Sequence, residues 1–386
     1  MDEHRRSKTL FLAVTFLYWM ALYIYVPTLP IYVGLKAVDL ATVGMVLSMY
    51  GLWQVFARIP LGVAGDYMGR GKPLIVAGFF LTASGAIIMG FGNSIFVLAA
   101  GRALTGISAG TWVLLVAVFS SFFDEDKAIL ASSMLTFSAS FGRMVATAST
   151  GFLNRMGGYR LSFYLAGVLG LLAIMLVLLI KEPRRPQKRI SLRSVVRLFF
   201  RRDVLLPTVL SIVVHHSDWS VTFGFLPILA KQMGVGDVAR SLLISLNIGG
   251  IAVANLLNTL LLKRVKHGIL LCTGALLLFA GIMLIAFSPI RAYLFVGTAC
   301  MGFAFGMMYP ILMGMSIQNV DPSQRSTAVG IHQAFYAIGM FTGPWVSGII
   351  ADHIGIRPVF FITAAGFLVL AILLLAVLLR RDKTTS

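Results

Sequence analysis

His215-His216-Ser217-Asp218-Trp219 places two imidazoles and a carboxyl inside a stretch that is otherwise apolar from about 204 to 230. If Leu205 marks the membrane edge, His215 lies about 15 Å deep at ~1.5 Å per helical residue. That is near the middle of a hydrocarbon core roughly 30 Å thick. Asp218 lies one turn further on, and no other acidic residue falls inside an apolar segment. Loss of water favours a neutral carboxyl, while a neighbouring cation favours an ionised one. A carboxyl held between these influences can take up and release a proton as its surroundings open, and imidazole can do the same near neutrality. Arg102 and Arg143 also lie within apolar segments. Charge at that depth is costly, so both are candidate functional residues. Either could tune the acid or meet an anionic group. A third group is His332, Gln333 and Tyr336, in which His332 and Tyr336 share a helical face at i, i+4. This is proton-transfer and ligand-binding chemistry. No nucleophile–base arrangement stands out and no H-E-x-x-H ligand spacing is present. No enzyme activity, metal site or cofactor is therefore expected.

The elements that carry these residues must be membrane helices. Of the 386 residues, 58% are hydrophobic and 12% charged, against about 25% charged in a soluble domain. Backbone in lipid must satisfy its own hydrogen bonds, which leaves helices or closed barrels. Continuous apolar runs such as 164–180 and 359–379 do not alternate as barrel strands do. Twelve spans are expected, at about 10–33, 41–64, 74–92, 94–119, 128–152, 160–180, 204–230, 238–262, 268–287, 291–317, 326–350 and 357–379. The basic start before span one resembles a signal peptide, but the apolar run is too long and no A-x-A-like site follows. Cys272 and Cys300 both fall in apolar runs, so no disulfide framework is indicated.

The net charge of +18 has a topological explanation. Segments on the side of the two termini hold 22 of the 32 Lys and Arg, and the opposite loops hold 7. The other three, Arg58, Arg102 and Arg143, lie within spans. This asymmetry places both termini in the cytoplasm and leaves no basic soluble domain for nucleic acid. A cysteine reporter at Ser191 should be missed by an impermeant thiol reagent added outside the cell, and one at Gly236 should react. The reverse labelling would overturn the twelve-span topology. Ser191 lies in the one long loop, 181–203, where Pro183 and Pro186 break the sixth helix. Beyond them Leu192, Val195, Val196 and Phe199 can share a face, with Arg193, Arg197 and Arg201 on another. An amphipathic surface helix and a solvated basic linker both fit this pattern.

The two halves repeat. Leu29-Pro30-Ile31 ends span one and Leu226-Pro227-Ile228 ends span seven, an offset of 227 − 30 = 197. The same offset carries Asp124 to Asp321, Gly142 to Gly339, Gly151 to Gly348, Gly158 to Gly355 and Phe163 to Phe360. The reading is gap-free. It pairs Tyr18 with His215 and Trp112 with Tyr309, which marks these four as cavity candidates. The expected architecture is an all-α membrane protein with two pseudo-symmetric six-helix bundles. They cover 1–181 and 204–386 and are joined by the linker 182–203. Transporters built from such repeats bind substrate near the midplane, between the bundles.

After span two the chain reads Gly62-Val-Ala-Gly65-Asp66-Tyr-Met-Gly69-Arg70-Gly71-Lys72. This resembles the loop signature of the major facilitator superfamily, G-x-x-x-D-x-x-G-R-x-K/R. The resemblance implies that Asp66 latches the inner gate against the start of span eleven, where a helix N-terminus favours a carboxylate. The equivalent position in the second half is Lys263 (66 + 197), so the latch is expected on one side only. Arg102, with Gly106 and Gly110, resembles the family's fourth-helix motif, whose arginine is tied to proton coupling. A structural arginine holding a backbone carbonyl or a neighbouring helix fits the same position. Drug–proton antiporters of the family carry G-x-x-x-G-P-x-x-G-G in span five. Here span five reads Gly142-Arg143-Met-Val-Ala146-Thr147. The antiporter-like pattern, with Gly343 and Pro344, stands in span eleven instead. Arg143 then fits either a substrate role or an interface between spans five and eight.

The resemblance implies a secondary transporter that works by rocking its bundles, a monomer in the lipid bilayer of the inner membrane. Proton-coupled export of a small organic molecule, whether drug, metabolite or metallophore, is the leading expectation. Uptake of an anionic nutrient with protons is the alternative, and a non-transporting receptor would not need paired bundles with buried charges.

Overall fold

The computed structural model describes residues 2–124, 127–183, 197–261, 264–321 and 324–382, which form helices and turns with no strand among them. Span one is Asp2–Tyr23 and, after a break, Leu29–Gly34. Spans two and three are Leu40–Met68 and Lys72–Phe91. Span four is Ile95–Ala109 continued by Trp112–Ser120. Spans five and six are Ala128–Gly157 and Tyr159–Leu178. Span seven is Arg202–Ser220, a π-helical turn Val221–Phe225, and Leu226–Gln232. Spans eight to twelve are Asp237–Leu261, His267–Phe287, Ala292–Gln318, Arg325–Ile354 and Ile356–Asp382.

Local chemistry sets several of these boundaries. The Asp39 side chain accepts the Thr42 N–H at 2.7 Å and caps span two. Hydrogen bonds from Thr42 hold the Asp39 carboxyl below the usual carboxylate range. Ser94 caps span four in the same way. The tight joins between spans five and six and between eleven and twelve turn on Gly158 (φ 70) and Gly355 (φ 89). These are repeat mates, and only glycine takes positive φ without strain.

Nine of the described helices are long and apolar enough to cross a membrane. Phe96, Phe137, Leu256 and Leu276 are among the large apolar side chains exposed on the outer surface, as lipid contact requires. Spans one, five and seven are not among these nine: one and seven are broken into shorter helices, and all three carry polar side chains that face inward. Thr15, Thr147, Thr150, Ser211, His215 and Asp218 are all buried.

Each bundle has its own apolar core. One runs from Phe11 to Ile180 and takes in Trp219, Phe223, Ile244, Ile248, Tyr336 and Met340 of the second half. The other runs from Leu210 to Leu378. Leu198, at the end of the linker, packs with Val320, Ala328 and Ile331, and Phe199 stacks on Phe335 at 4.0 Å. Residues 184–196, where the amphipathic helix is expected, lie outside the described residues, as does Lys263.

The packing corrects the gap-free repeat. A Cβ on Gly106 would meet the Tyr50 carbonyl, and one on Gly302 would meet the Asn247 carbonyl. Gly110 packs on Ala57, and Gly306 packs on Ala254. Gly85 abuts Gly101, and Gly281 abuts Gly297. Span two maps to span eight by 197 (50 to 247, 57 to 254). Spans three and four map to nine and ten by 196 (85 to 281, 101 to 297, 106 to 302, 110 to 306). Small residues let membrane helices approach backbone to backbone, so these contacts fix the true register. The mate of Trp112 is Met308, not Tyr309. The breaks in spans one and seven do agree at 197, since 24–28 maps onto 221–225. Discontinuous helices at matching positions are where such repeats place ligand sites.

Candidate functional site

The bundles meet through spans two and eleven and through spans five and eight. On the side opposite the linker they touch backbone to backbone. Gly44 lies against the Pro344 carbonyl and Gly348, and Gly151 lies against Val238, Asp237 and Ser241. The two contacts are repeat-related, since 44 + 197 = 241 and 151 + 197 = 348. Asp352 Oδ1 of span eleven accepts the Leu40 N–H of span two at 3.2 Å, and Asp237 pairs with Arg240. Toward the linker side the bundles part around a cavity of about 350 Å³. Its walls include Gly62, Asp66, Val113, Gly330 and Gln333, and Arg58 stands at its inner end.

The residues expected to form the gate divide by position. Asp66 and Gly62 line this cavity with Thr327 and Gly330 of span eleven. The rest of the loop is anchored within its own bundle. Lys72 Nζ donates to the Leu178 and Ile180 carbonyls at 2.8 and 2.7 Å. Glu182 accepts the Gly71 and Lys72 N–H groups at 2.6 and 2.9 Å. Gly69 ends span two in the left-handed region, and Arg70 is exposed. Gly343 packs on the His216 carbonyl and the Ser220 N–H of span seven, while Pro344 faces Gly44 of the other bundle.

Between the closed side and the cavity lies an aromatic layer. Tyr50 stacks on Trp219 across the bundles, with centroids 5.3 Å apart and planes 15° apart. Phe223 meets Trp219 at 4.9 Å and Tyr23 at 6.2 Å. The Arg102 guanidinium lies 4.1 Å from the Tyr50 ring centre and 3.5 Å from the Tyr25 hydroxyl. Asp218, beside Trp219, accepts Thr222 Oγ1–H at 2.8 Å and Asn247 Nδ2–H at 3.2 Å, both on Oδ1. It is the one buried acid among the described residues. Arg102 and Asp218 are therefore not partners; Tyr50 and Trp219 stand between their environments. The repeat explains the pairing. Thr222 and Asn247 hold the carboxylate, and their mates Tyr25 and Tyr50 (222 − 197 and 247 − 197) hold the guanidinium.

The histidines form a second layer. His215 Nδ1 donates to the Ser211 carbonyl at 2.8 Å, and its ring stacks on Tyr336 at 4.0 Å. Phe305 and Tyr309 meet it edge-on at 4.8 and 5.5 Å. His332 engages Thr208 Oγ1 at 3.0 Å and Ser211 Oγ at 3.1 Å through its two nitrogens. It meets the Tyr336 ring edge-on at 6.1 Å. His216 points elsewhere and engages Thr342 Oγ1 at 2.9 Å. No group of three or more His, Cys, Asp or Glu side chains able to hold a metal occurs among the described residues.

The remaining candidates lie in the first bundle. Arg143 rests 5.0 Å from the Trp19 ring and 5.6 Å from the Tyr23 ring, and it donates to Ser140 Oγ at 3.0 Å. The hydrogen bond between spans five and eight is made by Thr147, one turn on, to Ser245 at 2.8 Å. Tyr18 is buried, donates to the Ser108 carbonyl at 2.6 Å and stacks on Phe79, so it packs spans one, three and four together. Trp112 meets Trp19 edge-on at 5.5 Å.

Three further residues stand at the site. Asn247 is an amide inside an otherwise apolar span and Tyr50 an aromatic in span two; the register of the repeat links them. Arg58 is visible in the sequence as a third intramembrane cation, and it bridges the bundles. Its Nη1 donates to Gln333 Oε1 at 2.8 Å and to the Tyr336 hydroxyl at 2.9 Å, and its Nη2 donates to Gln54 Oε1 at 2.6 Å.

The family model described as Major Facilitator Superfamily matches residues 11–215 and 208–386. Inner membrane transport protein YajR of Escherichia coli (strain K12) is 24% identical over 341 residues, which cover 85% of this chain and 74% of that protein. Quinolone resistance protein NorA of Staphylococcus aureus (strain MRSA252) is 24% identical over 356 residues, which cover 87% and 88% of the two chains. The crystal structure of the POT family transporter PepTSo superposes with a TM-score of 0.82 at 13% identity, covering 99% of each chain. At that identity the likeness is one of fold.

Proposed function

The chain belongs to the Major Facilitator Superfamily, and we propose that it exports a small organic molecule from the cytoplasm in exchange for protons. In this reading the linker side is cytoplasmic, the opposite side is the outside, and a monomer in the inner membrane is the working unit. The bundles are 1–181 and 204–386, with 182–203 as linker. The observation that carries the reading is Asp218, a buried carboxyl held by neutral donors beside the aromatic layer that separates the cavity from the closed side. A proton taken up there from outside and released inside would drive the exchange of states. His215 lies one turn before it in span seven and is linked through Ser211 to His332 of span eleven. The cavity is largely apolar, with Arg58 and Gln333 at its inner end and Asp66 toward the linker side, the pattern of small-molecule sites. NorA, named for quinolone resistance, makes export the direction of choice among the relatives.

The test is flux in inverted membrane vesicles given an acidic interior, with a panel of small aromatic acids, amines and neutral compounds. Accumulation that collapses on adding a protonophore is expected. Accumulation confined to right-side-out vesicles would favour the second reading, proton-coupled uptake of an anion. The excess of three intramembrane arginines over one buried carboxyl favours that reading.

A further inference from the structure

Arg58 is buried at the inner end of the cavity, with 4% of the residue's surface exposed. Its partners are the side-chain oxygens of Gln54 and Gln333 and the Tyr336 hydroxyl, all neutral. The Tyr336 ring also lies 5.0 Å from the guanidinium carbon. No carboxylate pairs with it among the described residues. Nη1 spends both of its hydrogens and Nη2 spends one; the Nε–H is buried without a partner. A buried cation is tolerated when it is paired and its donors are used. This one is short on both counts, and it borders an open cavity. A guanidinium in that state accepts a carboxylate or another oxyanion in its forked geometry.

We propose that Arg58 is the anion-binding residue of the cavity and that the transported molecule is a small aromatic or otherwise apolar organic acid. Its charged end meets Arg58 and its body lies along Val113, Val116, Ala117 and Ile331, which line the same cavity. Asp66 also lines the cavity, toward the linker side, so the two charges give it a direction: acid group deep, body toward the mouth. Because Gln333 and Tyr336 belong to span eleven and Arg58 to span two, a bound acid competes for the contact that ties the bundles at this depth. The inference deepens the transport reading and rests on it for the cavity's role.

Binding to the purified full chain in lipid nanodiscs tests it. The probes share one body: 2-naphthoate and 2-naphthalenesulfonate, against 2-naphthamide and 2-naphthylmethylammonium. Both acids are expected to raise the unfolding temperature and to bind at least about tenfold more tightly than the amide, as charge-assisted hydrogen bonds to a buried guanidinium imply. Arg58→Gln removes that preference, and Arg58→Lys keeps part of it. Equal binding of acid and amide to the unmodified chain overturns the proposal even if Arg58→Gln does not fold. So does binding of neither acid, or an acid preference that survives Arg58→Gln, which would belong to Arg102 or Arg143. The assay has no gradient and no direction. Its failure leaves the export reading standing, and import in vesicles leaves this result standing.

Discussion

Asp218→Asn is expected to give a folded transporter that no longer responds to a proton gradient. Both hydrogen bonds to the carboxyl end on Oδ1, from Thr222 and Asn247. Asn keeps an oxygen there, so the local network survives while the site is fixed in an uncharged form. A gradient of about two pH units is worth about 2.7 kcal/mol per proton, which is about hundredfold accumulation. The variant should fall to roughly equal concentrations on the two sides. Substrate exchange without net flux should persist, since exchange does not require the site to deprotonate. Flux against pH, with and without a gradient, reads this out. An Asp218→Asn protein that still concentrates substrate would move the proton site to His215, His216 or His332.

Much of the fold was legible because membrane helices write themselves as long apolar runs. The twelve spans stand within several residues of their expected positions, while the repeated Leu-Pro-Ile, expected to end spans one and seven, instead opens the short helix after the break in each. The gap-free repeat failed in spans three, four, nine and ten because the matches that supported it lay in other spans. Glycine-to-backbone contacts supplied the register there. The site was only partly legible. Asp218, Arg102 and Arg143 stand out because charge in an apolar run is rare. What each touches does not follow from type or spacing. Arg102 lies on Tyr50 and not beside Asp218, a consequence of how span four packs on span two. Arg58 was visible as a charge, but its bridging role depends on span eleven, hundreds of residues away in sequence. Tyr18 shows the opposite case: its repeat mate His215 borders the aromatic layer, while Tyr18 itself is consumed by packing.

Gly44→Leu should hold the protein open on the side away from the linker. A Cβ at position 44 would press on the Pro344 carbonyl and come within 2.9 Å of Gly348 Cα. Both neighbours belong to the other bundle, so the clash falls on the closed interface and not on the core of either bundle. Overpacking of this kind costs about 1–3 kcal/mol. At about 1.4 kcal/mol per factor of ten, the closed state loses roughly fivefold to 150-fold in population. Transport falls in proportion, because each cycle must pass through that state. Ser241 is the reporter of choice. It is buried in the repeat-related contact with Gly151, so a cysteine there reports whether the second interface opens with the first. With Cys272 and Cys300 replaced by Ser, Ser241→Cys should react with an impermeant maleimide at least about tenfold faster in the Gly44→Leu background than without it. Gly366→Leu, at a position where a Cβ meets nothing within 4 Å, is the matched control and should change neither labelling nor flux. Normal transport together with a protected Ser241→Cys in the Gly44→Leu protein would mean that the glycine contact is not a gate, and that the two bundles separate, if they do, along another seam.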